Sequence, residues 1–238
     1  MTRLSYQAVI YNTLSKWNVP FYFSKLVINH MVHFIDGALS VGFTGKLTEI
    51  HAYSYHKRHR TTISHFLKNG VWNEEYLLRM MKQHALSQVK KEEPLFLLID
   101  DTICQKIKPS SRAKHPTELA AFHFSHTHGK SVWSHQVLQM MVKGEGKAFP
   151  FDFQLYHKEK TPSKIQLSID MINQFSSLSQ PTYLLCDTWF TSKKLIRAAL
   201  AKGIHVIGGL KTNRMISPKG IKLQAKEFAQ YIQKMTPT

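Results

Sequence analysis

The sequence predicts a mixed α+β / α/β fold, in which an amino-terminal helical region precedes a mixed sheet with flanking helices. Apolar residues recur mostly at helical spacing from residue 20 to about 91. Two short apolar runs, 95–99 and 182–186, are typical of strands buried on both faces of a sheet. Each run is followed directly by an acid. We therefore expect a helical region over 1–92 and a sheet-containing domain over 93–238.

The helical region contains a basic cluster that is a candidate DNA-binding element. His56, Lys57, Arg58, His59 and Arg60 form this cluster. They are followed by two threonines at 61 and 62, either of which is a suitable helix N-cap. A basic helix start can contact a phosphate backbone, and Lys57, Arg58 and Arg60 are its candidate contacts. The alternative is a solvated basic turn, and the sequence leaves both open.

The overall charge favours a polyanionic partner. The 238-residue chain carries 32 Lys and Arg against 15 Asp and Glu, a formal net charge of +17. Such an excess is larger than solubility requires and points to nucleic acid, although a generally basic host composition is an alternative explanation. The longest apolar stretch, 19–43, is interrupted by Lys25, His30, His33 and Asp36, so it predicts a buried helix and no membrane span.

Only two cysteines are present, Cys104 and Cys186, and the chain starts without a leader-like segment. Both observations favour a reducing, cytoplasmic location. We expect the two thiols to be packed in the interior.

The second region alternates strand and helix patterns in a defined order. Strands are predicted at 131–142 and 148–156, joined by a glycine-containing turn that makes them antiparallel. A helix over 163–175 follows, with Thr161 or Ser163 as its cap. After the strand at 182–186, Thr191 or Ser192 can cap a helix that Gly203 ends before a last strand at 204–207. A ribonuclease H-like core has this order, although several mixed sheets share it.

The acids after the two buried runs are candidate metal ligands. If the strands before Asp101 and Asp187 are parallel neighbours, both carboxylates lie at one edge of the sheet, where open sheets bind ligands. Mg²⁺ is commonly held by one or two carboxylates together with substrate phosphates. Strand alternation lets only one of Asp100 and Asp101 face such a site. The alternative is that these acids only form turns or cap helices.

Two segments resemble the acidic motifs of DDE transposases of the insertion-sequence-four-like group. Residues 98–102, Leu-Ile-Asp-Asp-Thr, resemble the first motif, and residues 184–192, Leu-Leu-Cys-Asp-Thr-Trp-Phe-Thr-Ser, resemble the second. Two further stretches, 123–133 and 208–214, resemble the segments that follow these motifs. The resemblance covers about residues 55 to 228 and implies Asp101 and Asp187 as the catalytic and metal-binding acids, with Asp100 as the alternative to Asp101.

The resemblance also implies an activity and partners. It implies DNA cleavage and strand transfer that depend on Mg²⁺ or Mn²⁺, transposon ends and target DNA as partners, and a possible homo-oligomer. The family's third catalytic acid is a Glu on a later helix, in a context of Tyr, Arg and Trp. The only acid after Asp187 is Glu227, which lacks that context and is expected to be a helix-surface acid.

We therefore expect an incomplete ribonuclease H-like core, a carboxyl-terminally truncated transposase that is inactive by itself. The alternative is a non-catalytic DNA-binding remnant or regulator that uses the basic surface. A third possibility is an unrelated metal-dependent nuclease that finds its third ligand within the chain.

Further basic residues are candidate phosphate contacts in the second region. They are Lys130, Lys211, Arg214, Lys219 and Lys222. His123, His126 and His128 are either a transition-metal site or additional DNA contacts, and the absence of paired cysteines favours the second interpretation.

Overall fold

The computed structural model describes residues 5–42, 46–55, 59–90, 92–112, 117–144, 146–176 and 179–235. The chain forms two compact units, 1–80 and 81–238. The division falls within a helix, ahead of the predicted boundary near residue 92. The predicted boundary between two independent domains near residue 92 stays a prediction.

The first unit is helical, as predicted. Its helices are α1 (Gln7–Lys16), α2 (Lys25–Val41), α3 (Leu47–Tyr53), α4 (Arg60–Asn69) and the first part of α5 (Glu74–Ser87). The Ser24 hydroxyl caps α2 by accepting a hydrogen bond from the Val27 amide. None of the described helices is both long and apolar enough to cross a membrane.

A buried carboxylate joins separate segments of this unit. Asp36 is 1% exposed. Its Oδ1 accepts a hydrogen bond from the Tyr6 amide and its Oδ2 accepts one from the Tyr55 amide, each at 2.8 Å. Both oxygens are therefore used, which offsets the cost of burying the charge.

The cap of α4 differs from the prediction. The helix begins at Arg60, and its N-cap is His59, whose Nδ1 accepts a hydrogen bond from the Thr61 amide. Thr61 and Thr62 lie inside the helix, so their assignment as caps was wrong. The other two candidate contacts of the basic cluster, Lys57 and Arg58, lie outside the described residues.

The second unit is built on a mixed six-stranded sheet. Its strands are β1 (Leu95–Gln105), β2 (Ala121–Ser125), β3 (Lys130–Gly144), β4 (Lys147–Tyr156), β5 (Thr182–Cys186) and β6 (Ile204–Gly208). β3 is antiparallel to β1, β2 and β4, whereas β5 is parallel to both β1 and β6. The order β4-β3-β1-β5-β6 is that of a ribonuclease H-like core, so the predicted fold class is confirmed.

Two helices pack on one face of this sheet. They are α6 (Lys164–Gln174) and α7 (Lys193–Ala201), capped by the hydroxyls of Ser163 and Ser192. Apolar side chains between the helices and the sheet form the core, with Leu95, Leu97, Ile99, Leu138, Leu184, Met171, Ile172 and Leu195 among its buried members. A two-stranded β7–β8 pair (Met215–Ile216 and Leu223–Gln224) and α8 (Ala225–Met235) follow β6.

β1 is longer than predicted. It continues through Asp100 and Asp101 to Gln105, because β3 supplies an antiparallel partner along its whole length. The parallel pairing with β5 ends at Ile99 opposite Cys186. Asp100 and Asp101 therefore lie in a part of β1 that pairs with β3 on one side and has no paired strand on the other. The expectation that the strand ends at residue 99 was wrong.

Candidate active site at the carboxyl edge of the sheet

Three acids lie at the carboxyl edge of β1 and β5. Asp100 and Asp101 follow the last parallel pair of β1, and Asp187 directly follows β5. Because side chains alternate along a strand, Asp101 shares the helix-covered face with Leu97 and Ile99, whereas Asp100 lies on the opposite face. The two candidates for the first acid thus belong to different faces of the sheet.

Asp101 is held in place by two side chains. Its Oδ2 accepts a hydrogen bond from Gln136 Nε2 on β3 and from Lys164 Nζ, the latter at 3.0 Å. The side chain of Asp101 is 20% exposed and that of Lys164 is 14% exposed. The carboxylate is therefore oriented and charge-compensated while it remains accessible.

Lys164 connects Asp101 to the segment that follows Asp187. Its Nζ lies 4.2 Å from the centroid of the Trp189 ring and 5.6 Å from that of the Tyr156 ring. An ammonium group over an aromatic face is stabilised by the ring quadrupole. The Trp189 amide in turn donates a hydrogen bond to Asp187 Oδ1 at 2.9 Å. A continuous series of contacts thus links the two acids.

Asp187 forms a turn with one of its oxygens. Its Oδ1 accepts hydrogen bonds from the Trp189 and Phe190 amides, at 2.9 and 3.0 Å. This is the turn-forming role that the sequence left open as an alternative. Asp187 is exposed, and within the described part of the chain its Oδ2 has no hydrogen-bond partner. The turn therefore fixes the carboxylate and leaves one oxygen available to a ligand.

Asp100 and Asp187 line a common open cleft of about 390 Å³. Gly208 and Gly209 form part of its wall. A Cβ at Gly208 would lie 2.4 Å from Thr191 Oγ1, so only glycine allows β6 to approach the Asp187 turn this closely. Asp100 is exposed, and its Oδ1 accepts a hydrogen bond from the Asp101 amide. Asp187 thus shares this cleft with Asp100, whereas its link to Asp101 runs through Trp189 and Lys164.

The side chains near Asp101 include the partly buried imidazole of His123 as well as Lys164. The pKa of His123 is lowered, chiefly by burial and then by the nearby His157 and Lys164, whereas Asp101 acts in the opposite direction. The Nε2 atom of His123 is buried and makes no hydrogen bond to any described residue. Lys164 is therefore the neighbour that compensates the Asp101 charge, and burial favours a neutral His123 imidazole.

The acids supply the donor type that Mg²⁺ or Mn²⁺ prefers, namely carboxylate oxygens. One oxygen of Asp187 is available, and the hydrogen bonds of Asp101 to side chains of the described residues involve Oδ2 alone. The residues that the structure describes contain no group of three or more His, Cys, Asp or Glu able to hold a metal ion. Carboxylate oxygens of this kind suit a divalent cation whose remaining ligands are water or substrate oxygens.

The predicted basic contacts have different surroundings. Arg60, Lys130, Lys211, Lys219 and Lys222 are exposed. Arg214 is half-buried, and its Nη1 donates a hydrogen bond to the Thr191 carbonyl, so it supports the segment that follows Asp187. Glu227 is exposed and accepts a hydrogen bond from the Gln224 amide, which caps α8.

The histidines and cysteines show no arrangement for transition-metal binding among the described residues. His128 is hydrogen-bonded to the Ser125 hydroxyl, and His135 Nε2 contacts the Glu118 carbonyl oxygen. Cys104 and Cys186 are both free thiols. Burial is the main cause that raises the pKa of Cys186, as expected for a thiol with a packing role.

Sequence reasoning missed Gln136, Lys164 and Trp189 as residues of this site. Gln136 and Lys164 lie 35 and 63 residues from Asp101 along the chain, so no local pattern links them to it. Trp189 lay within the second acidic segment, but its contact with Lys164 depends on how α6 packs on the sheet.

A family model described as DDE superfamily endonuclease matches residues 29–230. No curated protein matches the chain. Among solved structures, the chain is similar to one from a simian T-cell lymphotropic virus intasome in complex with the PP2A regulatory subunit B56 gamma. The identity is 11%, the TM-score is 0.28, and the match covers 63% of this chain and 47% of that one.

It is also similar to one from the Drosophila P element transposase strand transfer complex. Here the identity is 11%, the TM-score is 0.26, and the match covers 95% of this chain and 55% of that one. The chain thus spans about half the length of either structural relative. Because both structural similarities are weak, the match to the family model is the basis for assigning the chain to a family.

Proposed function

Because this chain belongs to the DDE superfamily of endonucleases, we propose that it cleaves DNA phosphodiester bonds at a site formed by Asp101 and Asp187. The observation that supports this most is the placement of the two acids. Asp187 directly follows the last paired residue of β5, and Asp101 lies two residues beyond the last residue of β1 that pairs with β5. Lys164 and Trp189 connect the two acids.

We further propose that the chain is part of a transposase of the insertion-sequence-four-like group, with transposon ends and target DNA as partners. The order and spacing of the two acidic segments support this narrower assignment. A cytoplasmic setting belongs to the same proposal, since the two cysteines are free thiols.

Asp101 and Asp187 would hold Mg²⁺ or Mn²⁺, with Asp100 as the alternative to Asp101. When bound, such an ion activates the attacking oxygen and stabilises the leaving oxygen in phosphodiester cleavage. The protein's own contribution is orientation. Gln136 and Lys164 fix the Asp101 carboxylate, and the backbone amides of the Asp187 turn fix the second one.

The proposed DNA contacts are basic side chains of both units. The exposed ones are Arg60, Lys130, Lys211, Lys219 and Lys222, and the proposal also includes Lys57 and Arg58. Arg214 is assigned a positioning role, because its guanidinium is hydrogen-bonded to the Thr191 carbonyl. The net charge of +17 supports a partner whose binding weakens steeply with salt.

A second candidate function is DNA binding without catalysis. It is favoured by one observation: among the described residues, no third acid, histidine or cysteine joins the pair to complete a metal-binding group. In this candidate function, the basic side chains named above bind DNA, and binding does not depend on Asp101 or Asp187.

A plasmid nicking assay in Mg²⁺ or Mn²⁺ distinguishes the two functions. The sequence predicts a chain that is inactive by itself, whereas the placement of the two acids predicts that the purified chain nicks supercoiled DNA. Asp101→Asn or Asp187→Asn should then abolish nicking while DNA binding persists. Asp170→Asn on α6 is the matched control and should leave nicking unchanged, because among the described residues its carboxylate is hydrogen-bonded only to Gln166. If the wild-type chain binds DNA but never nicks it, the second candidate is correct.

A further inference from the structure

The position of Lys164 allows its ammonium group to contact a substrate as well as Asp101. Resting on the function proposed above, we propose that Lys164 is a phosphate-binding residue of this site. It pairs with Asp101 in the free protein and contacts a DNA phosphate once the Asp101 charge is otherwise compensated.

The ammonium group of Lys164 is not saturated with hydrogen bonds to the described residues. Nζ has three protons to donate, and its hydrogen bond to Asp101 Oδ2 uses one of them. Its remaining near neighbours are the faces of Trp189 and Tyr156. Aromatic faces stabilise the charge but do not accept hydrogen bonds strongly, so the cation retains donors for an incoming oxygen.

The imidazole of His123 lies beside the Lys164–Asp101 pair and is partly buried. The buried Nε2 of His123 has no hydrogen-bond partner among the described residues. Buried polar atoms without partners are rare in native proteins and often indicate a missing ligand or water. A phosphate oxygen would supply a hydrogen-bond acceptor for an N–H at this position and a second partner for the Lys164 ammonium group.

A divalent cation and Lys164 would compete for the Asp101 carboxylate. A carboxylate that engages a divalent cation attracts a neighbouring ammonium group less, because the cation has compensated its charge. Lys164 has a flexible stem and a compact charge, which suit it to binding a phosphate as a point charge. The Lys164–Asp101 pair and the Lys164–phosphate contact thus exclude each other in part.

This competition can be measured without any metal. Asp101→Asn removes the charge that holds Lys164 and should release it to bind DNA. In metal-free buffer, we expect the Asp101→Asn chain to bind a duplex on the order of tenfold more tightly than wild type. The plot of log K against log salt should steepen by about 0.9, which corresponds to one additional phosphate contact.

The cause of that gain is identified by variants at position 164. In the Asp101→Asn background, Lys164→Gln should return both the affinity and the slope to wild-type values, whereas Lys164→Arg should retain the gain. The control for a general charge effect is Asp170→Asn, which also removes one negative charge and should leave the slope unchanged.

The inference is overturned if Asp101→Asn behaves like Asp170→Asn, or if its gain survives Lys164→Gln. Either result is obtained with a wild-type chain that binds DNA, and the function proposed above then stands. If the wild-type chain fails to bind DNA at any salt concentration, the proposed function itself is wrong.

Discussion

The second unit contains two lysine–aspartate pairs whose environments differ sharply. Lys82 Nζ lies 2.7 Å from Asp152 Oδ2, and Lys164 Nζ lies 3.0 Å from Asp101 Oδ2. The Asp152 side chain is 1% exposed, whereas that of Asp101 is 20% exposed. The first carboxylate is sealed inside the protein and the second is accessible at the edge of the sheet.

The difference indicates what each pair is for. Asp152 has further local contacts, since it accepts a hydrogen bond from the Phe153 amide, and Lys82 lies 5.6 Å from the Phe151 ring. A sealed pair cannot exchange partners without exposing a buried charge. An accessible pair beside a second acid can exchange, and we infer that the Asp101 pair contributes to binding and the Asp152 pair to stability.

The largest effect is expected from breaking the sealed pair. Lys82→Met should lower the free energy of unfolding by about 3 kcal/mol, because it leaves Asp152 buried and uncompensated. Lys164→Met is the matched control and should cost less than about 1 kcal/mol, since Asp101 can be solvated. Urea unfolding followed by circular dichroism measures both, and equal losses would contradict the distinction between the pairs.

A smaller loss of stability is expected from a substitution at Gly208, where β6 packs closely against the segment that follows Asp187. Gly208→Ala should destabilise the protein by about 2 kcal/mol, because the new Cβ would lie 2.4 Å from Thr191 Oγ1. Removing that hydroxyl should relieve part of the clash. Thermal unfolding should therefore show that the Gly208→Ala/Thr191→Ala double variant loses less stability than the sum of the two single variants. Additive losses would count against the contact.

The smallest effect concerns the histidine beside Asp101. The folded state lowers the pKa of His123, so the unfolded chain binds its proton more readily. The stability from this group is complete above the unfolded pKa near 6.5 and falls as the pH drops toward the folded pKa. His123→Gln should therefore reduce the loss of stability between pH 7.5 and pH 5, measured by urea unfolding. An unchanged pH dependence would exclude this contribution.

Much of the sheet could be predicted because its signals are local. β5 is a continuous apolar run and was predicted at its observed bounds, and Ser163 and Ser192 are the caps of the helices on either side of it. The predicted β1 ended at residue 99, whereas the observed strand continues to Gln105. The continuation is polar and is stabilised by pairing with β3, which the local sequence pattern does not reveal.

The acids of the candidate site were also visible in the sequence, but their surroundings were not. Asp101 and Asp187 follow apolar runs, a local feature, whereas the partners Gln136 and Lys164 come from β3 and α6. The cap of α4 shows a related difficulty, since His59 uses a ring nitrogen in the place where a hydroxyl was expected. Side-chain partners distant in sequence depend on packing and register.

The central claim is that Asp101 and Asp187 together bind a divalent cation. Titration calorimetry with Mn²⁺ on the wild-type chain and on single Asp→Asn variants at 100, 101 and 187 tests it directly. We predict that Asp101→Asn and Asp187→Asn each weaken Mn²⁺ binding by about tenfold or more, and that Asp100→Asn leaves it nearly unchanged. Wild-type affinity in Asp101→Asn, together with a loss in Asp100→Asn, would contradict the claim and place the ion in the cleft lined by Asp100 and Asp187.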